Sequence, residues 1–402
     1  MTTALLPLPF GVLLFSLAFP TADAVALPCL LAAFLIAVTS WRQLAPPSFP
    51  CKWTTALWIG VVIASLRFAV DPAYSLGEVR SEVGYALMAF VAFLAWTRDE
   101  RRLRLSCLAV SAGFVAMSSS ALFGAYLRDG DWPSDVYYGG VGAVSNYLVT
   151  VGPVLALTVV LLGRGRWWAL GGGLFLGVTL LCAQRVLWPA IGTQAGLVCV
   201  WLWRVQAVSI GPRRLALSLL MLLALIAGGI YVSDRYRTGG NADSPLAIVN
   251  DLRPRVWQKV GQEILAHPLT GAGFGQDVMG KAYPALLPPG DTVFWHPHNL
   301  VLAYGISAGV PGMVAVLALF AGLAWRFWQL ALRGEGLARL SGLAGTAMVA
   351  GVFARNMTND LFVNEGALLF WALAGTLFGY ALRHGPIGVA DMRTLKNMRR
   401  RA

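Results

Sequence analysis

The chain has 402 residues, 57% of them hydrophobic and 12% charged, with a formal net charge of +12. This is too apolar for a water-soluble protein of that length. It is no disulfide scaffold or thiolate metal site either, because Cys29, Cys51, Cys107, Cys182 and Cys199 lie in or beside apolar runs with no CxxC spacing.

Apolar windows of roughly 20 residues predict an all-α, polytopic integral membrane protein with about 12 transmembrane helices and one large outer loop region carrying short helices. In chain order the windows fall near 4–20, 24–41, 53–70, 84–97, 105–127, 146–163, 167–184, 187–203, 215–232, 309–326, 341–355 and 366–382. The first has no basic segment before it and reads as a spanning helix, not a cleaved signal peptide. Residues 1–232 then carry helices 1–9, 233–308 the loop region, and 309–402 helices 10–12 and a basic tail. With the N-terminus in the cytoplasm, most Lys and Arg residues fall on that side, including Arg98–Arg104 and the tail from Arg393 to Arg401. The positive-inside rule therefore keeps both termini cytoplasmic. The tail is a topology signal and a contact for membrane lipids, not a nucleic-acid site.

This orientation places the long polar stretch after Ser233 on the opposite side. Smaller outer loops are expected at Asp71–Val83, Arg128–Ser145, Gln184–Val186 and Arg355–Glu365. In CAQRVLWPA, Arg185 sits between two apolar runs. A charge there snorkels to headgroups, finds a protein partner, or faces a cavity that takes an anion. In DLRPRVWQKVGQEILAHP, Asp251 can cap a helix with Pro254 in its first turn. The apolar positions Val256, Trp257, Val260, Ile264 and Leu265 have helical spacing, and the helix should stop before Pro268. Arg253 and Arg255 then lie at the helix N-terminus with Lys259 one turn on. That arrangement suits phosphate oxygens, or a solvated end paired with Asp251 or Asp234. The glycines of GAGFG (271–275) follow a helix, not a strand, so they read as a tight turn rather than a nucleotide loop.

Two of the four histidines occur in FWHPHNL (294–300). His296 and His298 lack a clear third metal ligand, His267 and Asp291 being weak candidates. They are either interface residues beside Phe294 and Trp295, or one of them is a general base. His298, just before an apolar stretch that must return to the membrane, is better placed than His296. Asn299 beside it offers a donor and an acceptor for orientation or substrate contact.

HNLVLAYGISAGVPG resembles the His-Asn-x-x-Leu…Gly-x-x-Gly signature of the O-antigen ligase and polymerase superfamily. RPRVW and HPLTGAGFG resemble its Arg-x-x-x-Trp…Pro-x-x-Gly-x-Gly segment, which makes Arg253 the family arginine. QRVLW resembles its Ser-Arg-small-x-Trp turn at Arg185, with Gln184 and Val186 in place of the serine and the small residue. The resemblance implies a membrane-embedded glycosyltransferase in the bacterial inner membrane with a periplasmic site. Its donor would be a glycan on undecaprenyl pyrophosphate and its acceptor a lipid A–core sugar. By that reading Arg185 and Arg253 clamp pyrophosphate, His298 is the base, and Arg255, Lys259, Asn299 and His296 contact substrate. No cofactor or metal is expected. Other members imply a polymerase or a protein O-oligosaccharyltransferase; outside the family, a polytopic lipid or glycan transporter remains open, although no internal duplication is visible. Further outer-face candidates for sugar contact, unranked, are Asp71, Glu78, Arg80, Glu82, Asp129, Tyr137, Tyr138, Asn146, Arg355, Asn356 and Asp360.

Overall fold

A computed structural model describes residues 6–19, 22–127, 140–163, 165–205, 211–237, 251–286, 295–360 and 362–385. Their regular structure is all helical, with no strand among the described residues. In chain order the α-helices are α1 (Leu8–Ser16), α2 (Asp23–Thr39), α3 (Trp41–Leu44), α4 (Lys52–Ser65), α5 (Pro72–Glu78), α6 (Ala86–Trp96), α7 (Glu100–Leu127), α8 (Gly140–Leu162), α9 (Arg166–Cys182) and α10 (Leu187–Arg204). They continue with α11 (Pro212–Arg237), α12 (Arg253–Ala266), α13 (Val278–Ala282), α14 (Leu300–Arg333), α15 (Gly336–Arg355) and α16 (Asn364–His384).

Among the described residues, seven helical segments are long and apolar enough to cross a membrane: Pro72–Trp96, Glu100–Ala121, Gly142–Leu162, Ala216–Arg235, Leu300–Arg333, Gly336–Arg355 and Asn364–His384. The other expected spans are present as helices α1, α2, α4, α9 and α10, which are shorter or less apolar. The nine residues of α1 rise only about 14 Å, against a hydrocarbon core of about 30 Å.

Several boundaries differ from the hydropathy reading. Asp71–Val83, expected as an outer loop, is helical from Pro72. Glu78, Arg80 and Glu82 lower the apolar average there, while the Asp71 carboxylate caps α5 by accepting from Tyr74 N (3.1 Å). A π-helical stretch, Val79–Tyr85, then joins α5 to α6 without a break. The span expected near 309–326 begins at Leu300, so the end of the 233–308 loop region is already helix; Ser233–Arg237 likewise belongs to α11.

The bundle is organised around α16, which is buried on every side from Ala367 to Leu382. A helix apolar all round belongs at the centre of a bundle. It packs along α6 and α15, and α15 packs on α14, α10 and α8. Gly375 and Gly379 let α16 lie against the α6 backbone. A Cβ on Gly375 would sit 2.5 Å from the Phe90 carbonyl oxygen, and one on Gly379 2.8 Å from that of Leu94. This small-residue spacing is how helices approach closely in lipid. At one end of α16, Arg383 donates to the carbonyls of Leu44 (3.1 Å), Leu94 (2.9 Å) and Ala95 (3.2 Å), tying α3 and α6 together through C-terminal oxygens with no intrahelical partner. The candidate functional residues gather at the other end.

Candidate active site

The site is built on a deliberate break in α14. Within the helix, Ala308 (φ −143°) and Gly309 (φ 65°) are non-helical, and Pro311 follows. The break frees backbone groups that membrane-depth structure must satisfy internally. The HPLTGAGFG loop supplies the partners. Ala272 N donates to Ile306 O (2.9 Å), Gly273 N to Ser307 O (3.1 Å), and Val310 N to Pro268 O (2.7 Å). Ser307 O is the acceptor that Pro311, lacking an N–H, leaves vacant. Gly309 is required twice over, by its left-handed φ and because a Cβ there would lie 2.4 Å from Pro268 O. The glycine loop is therefore a tight turn, and its job is to dock on the α14 kink. Val70 N donates to Ala272 O (3.0 Å), bringing in the segment before α5 as well.

The start of α14 carries the histidines. Asn299 caps the helix, its Oδ1 accepting from Leu302 N (3.1 Å), and its amide donates to Met357 O (2.8 Å). Both ends of its side chain are engaged within the protein, so Asn299 positions the loop. Leu300 N donates to Asn356 O (2.8 Å), and Trp257 on α12 donates to Pro297 O (2.8 Å). Held between these ties, His298 takes a left-handed conformation (φ 53°) and is 7% exposed. A non-glycine residue at positive φ is a local strain that surrounding structure must enforce.

The tautomer of His298 follows from its neighbour. Asn359 Oδ1 accepts from Asp360 N (3.0 Å), which fixes that amide with its oxygen inward. His298 Nδ1 lies 3.1 Å from the same oxygen. An amide oxygen only accepts, so Nδ1 carries a proton, and in the neutral ring the lone pair is on Nε2. The His296 ring packs against His298 with centroids 3.9 Å apart, and its Nδ1 contacts the Asp360 carboxylate, whose side chain is only 3% exposed. Asp360 also reaches Gln276, whose amide donates to the Asp360 carbonyl (3.2 Å). The π-helical stretch adds Glu82, 6% exposed, with Oε1 unpartnered among the described residues and within electrostatic reach of Glu78, Asp277 and Asp360. The histidines thus have an acidic side.

The arginines sit on the α9–α10 turn, on α12 and at the end of α15. Arg185, in the turn between α9 and α10, pairs with Asp234 of α11 at 2.8 Å, the two side chains 13% and 3% exposed. Trp188 Nε1 donates to Ser233 Oγ (2.9 Å) beside it. The partner that Arg185 needs at the membrane boundary is therefore Asp234. On α12, Val256, Val260 and Ile264 are buried, while Leu265 is 76% exposed and leaves the apolar face expected for it. The helix stops at Ala266, before Pro268. Asp251 accepts from Arg253 N (3.0 Å) and pairs with its Nη1 (3.0 Å). Arg253 Nε is buried with no acceptor among the described residues. Arg255 and Lys259 are exposed. Arg355, at the end of α15, is 1% exposed, and the Ser145 hydroxyl accepts from both its Nε (2.8 Å) and Nη2 (2.6 Å). It is within electrostatic reach of Arg253 and of Cys182, next to the Arg185 turn. The next residue, Asn356, donates to Asn146 Oδ1 (3.0 Å). Arg355 and Asn356 thus join the two arginine elements to the histidine loop.

Residues 172–317 match the family described as O-antigen ligase. That match supports the O-antigen ligase and polymerase superfamily. A comparison with curated proteins returns no match. The matched stretch contains Arg185, Arg253 and His298, on which the sequence resemblance rests, and His296 beside them. It stops short of Asn359 and Asp360, which the superfamily motifs do not point to. The fold brings them in from the α15–α16 connection. Phe294, Asp291, Asp129, Tyr137 and Tyr138 lie outside the described residues.

Proposed function

We propose that this superfamily member is a ligase. It transfers O-antigen glycan from undecaprenyl pyrophosphate to a lipid A–core sugar hydroxyl on the periplasmic face of the inner membrane, with inversion and without a metal. The observation that carries the reading is His298 Nδ1 held 3.1 Å from Asn359 Oδ1, which leaves Nε2 to act as the base in the neutral ring, at the same end of the bundle as Arg253 and Arg185.

His298 Nε2 takes the proton of the acceptor hydroxyl as its oxygen attacks the anomeric carbon; positioned bases typically contribute about 10²–10⁴-fold. The bond from that carbon to the pyrophosphate oxygen breaks, and its electron pair leaves with the pyrophosphate. Arg253 and Arg185 hold the growing negative charge, and preorganised donors of this kind contribute about 3–4 kcal/mol each. Arg355, buried behind them, adds positive potential without touching the lipid. A pyrophosphate leaves readily as an anion, so no separate general acid is needed, and the guanidiniums take the charge-neutralising place of a divalent ion. Of the residues expected to bind substrate, Arg255 and Lys259 remain at the exposed face of α12, suited to headgroups or the outer glycan, and His296 supports the acidic side through Asp360.

The test is reconstitution of purified protein with undecaprenyl-pyrophosphate-linked glycan and either lipid A–core or a second lipid-linked glycan, in chelator. Joined lipid A–core product is expected. Extension of the lipid-linked glycan alone would make the protein a polymerase, and a requirement for added divalent ion would overturn the metal-free chemistry.

A further inference from the structure

A cavity lies beside the histidine loop, outside the machinery described above. Its volume is about 230 Å³ and it opens between the end of α1, the last third of α7, the start of α8 and the start of α16. All four of those termini belong to the end of the bundle that carries His298. The polar lining is Asn146, Tyr147, Gln276, Asn364 and Glu365, set against apolar walls that include Leu17, Met117 and Leu369.

Three features set its chemistry. First, no Lys or Arg is among the described lining residues. A site for pyrophosphate needs cations, and here the one ionisable carboxyl, that of Glu365, is in hydrogen-bond contact with that of Asp23. The described lining therefore supplies no cation to hold the donor's leaving group. Second, carboxamides, a phenol and a carboxyl group together supply donors and acceptors, the set that pairs with neighbouring hydroxyls on a sugar ring. Third, Tyr147 is 8% exposed and its hydroxyl has no hydrogen-bond partner among the described residues. A buried hydroxyl left unmade costs about 1–3 kcal/mol, and an arriving ligand hydroxyl would remove that cost. The volume is below the roughly 300–1,000 Å³ of pockets for larger ligands, which fits a single pyranose.

The cavity is also wired to the reacting groups. Gln276 lines it and donates to the carbonyl of Asp360, the residue against His296. Asn146 lines it and accepts from Asn356, whose carbonyl holds the first residue of α14. A sugar seated here would sit next to the elements that hold His296 and His298.

We propose that this cavity binds one sugar ring of the acceptor glycan. The inference rests on the glycosyl-transfer reading above, and it adds the subsite that selects the acceptor.

The test compares wild type with Tyr147→Phe, Glu365→Gln and the cavity-filling Ala143→Leu, each checked for an unchanged thermal transition. Binding of delipidated core oligosaccharide, and in a second arm of delipidated O-antigen repeat, is titrated by intrinsic fluorescence. In the transfer reaction the KM for acceptor and the KM for donor are measured separately. Binding of one of the two sugars is expected to weaken about five- to tenfold in Tyr147→Phe and Glu365→Gln and more in Ala143→Leu. Acceptor KM should rise in parallel while donor KM and kcat stay within about twofold. The arm that binds identifies the acceptor. Equal binding in wild type and all variants, binding of neither sugar to wild type, or a rise in donor KM alone would overturn the proposal. Sugar binding that the variants weaken, in a protein that forms no transfer product, would instead retain the subsite and reject the transfer reading.

Discussion

At the scale of single residues, burial separates side chains that sequence spacing left equal. Arg253 and Arg255 are both near the start of α12, yet Arg253 is folded inward with an unpartnered Nε and Arg255 is exposed. Arg253→Ala is therefore expected to lower kcat about 10²–10³-fold, as for loss of one preorganised donor. Arg255→Ala should cost less than about fivefold, as for an exposed charge. Steady-state kinetics of the two variants decide this, and equal losses would remove the distinction. Arg185 differs again, because its partner Asp234 is almost fully buried. Breaking such a pair from one side costs about 3–5 kcal/mol, so Arg185 variants test folding as well as chemistry and are the weaker probe. Neither Asp234 as the partner of Arg185, 49 residues on, nor Asn359 as the partner of His298, 61 residues on, could be read from the sequence. No periodicity or local motif encodes such a pairing; only packing of α11 and of the α15–α16 connection creates it.

At the scale of elements, the break in α14 is the device that positions the histidines. Its parts were visible separately as GVPG and GAGFG, and the turn reading of the glycines holds. That the two segments satisfy each other's backbone was not visible, since hydropathy averages over both. Gly309→Ala would place a β-carbon against Pro268 O and force an alanine into left-handed geometry, which alone costs about 1–2 kcal/mol. A lower thermal transition and a matching loss of transfer are expected. Val310→Ala, at a position 41% exposed on the same helix, should change neither. An unaltered Gly309→Ala protein would show that the kink is incidental. The π-helical stretch before α6 was hidden for a different reason. Glu78, Arg80 and Glu82 break the apolar window, so a continuous helix read as a loop. Such stretches recur at functional sites, and here one delivers Glu82 to the acidic side of the histidines.

At the scale of the whole molecule, the helices carry Arg185, Arg253 and the histidine loop to one end of the bundle. The helical class and the positions of the apolar segments were legible from composition, because lipid leaves the backbone few choices. The arrangement of that end was not, because it depends on contacts between segments far apart in the chain. If this end faces the periplasm, Leu269, which is 73% exposed in the loop docked on α14, becomes a reporter of topology. In a cysteine-free background, Leu269→Cys should react with a membrane-impermeant maleimide in intact spheroplasts. Labelling only after permeabilisation would place the site on the cytoplasmic side, where a lipid-linked glycan exported for ligation is out of reach.

The central claim is that His298 is the base of a glycosyl transfer. The most direct measurement is single-turnover transfer by purified wild type and His298→Ala, with lipid-linked glycan and lipid A–core and with donor binding followed in parallel. The account predicts product with wild type, donor binding retained in the variant, and transfer reduced at least about 10²-fold. Full turnover by His298→Ala would contradict it.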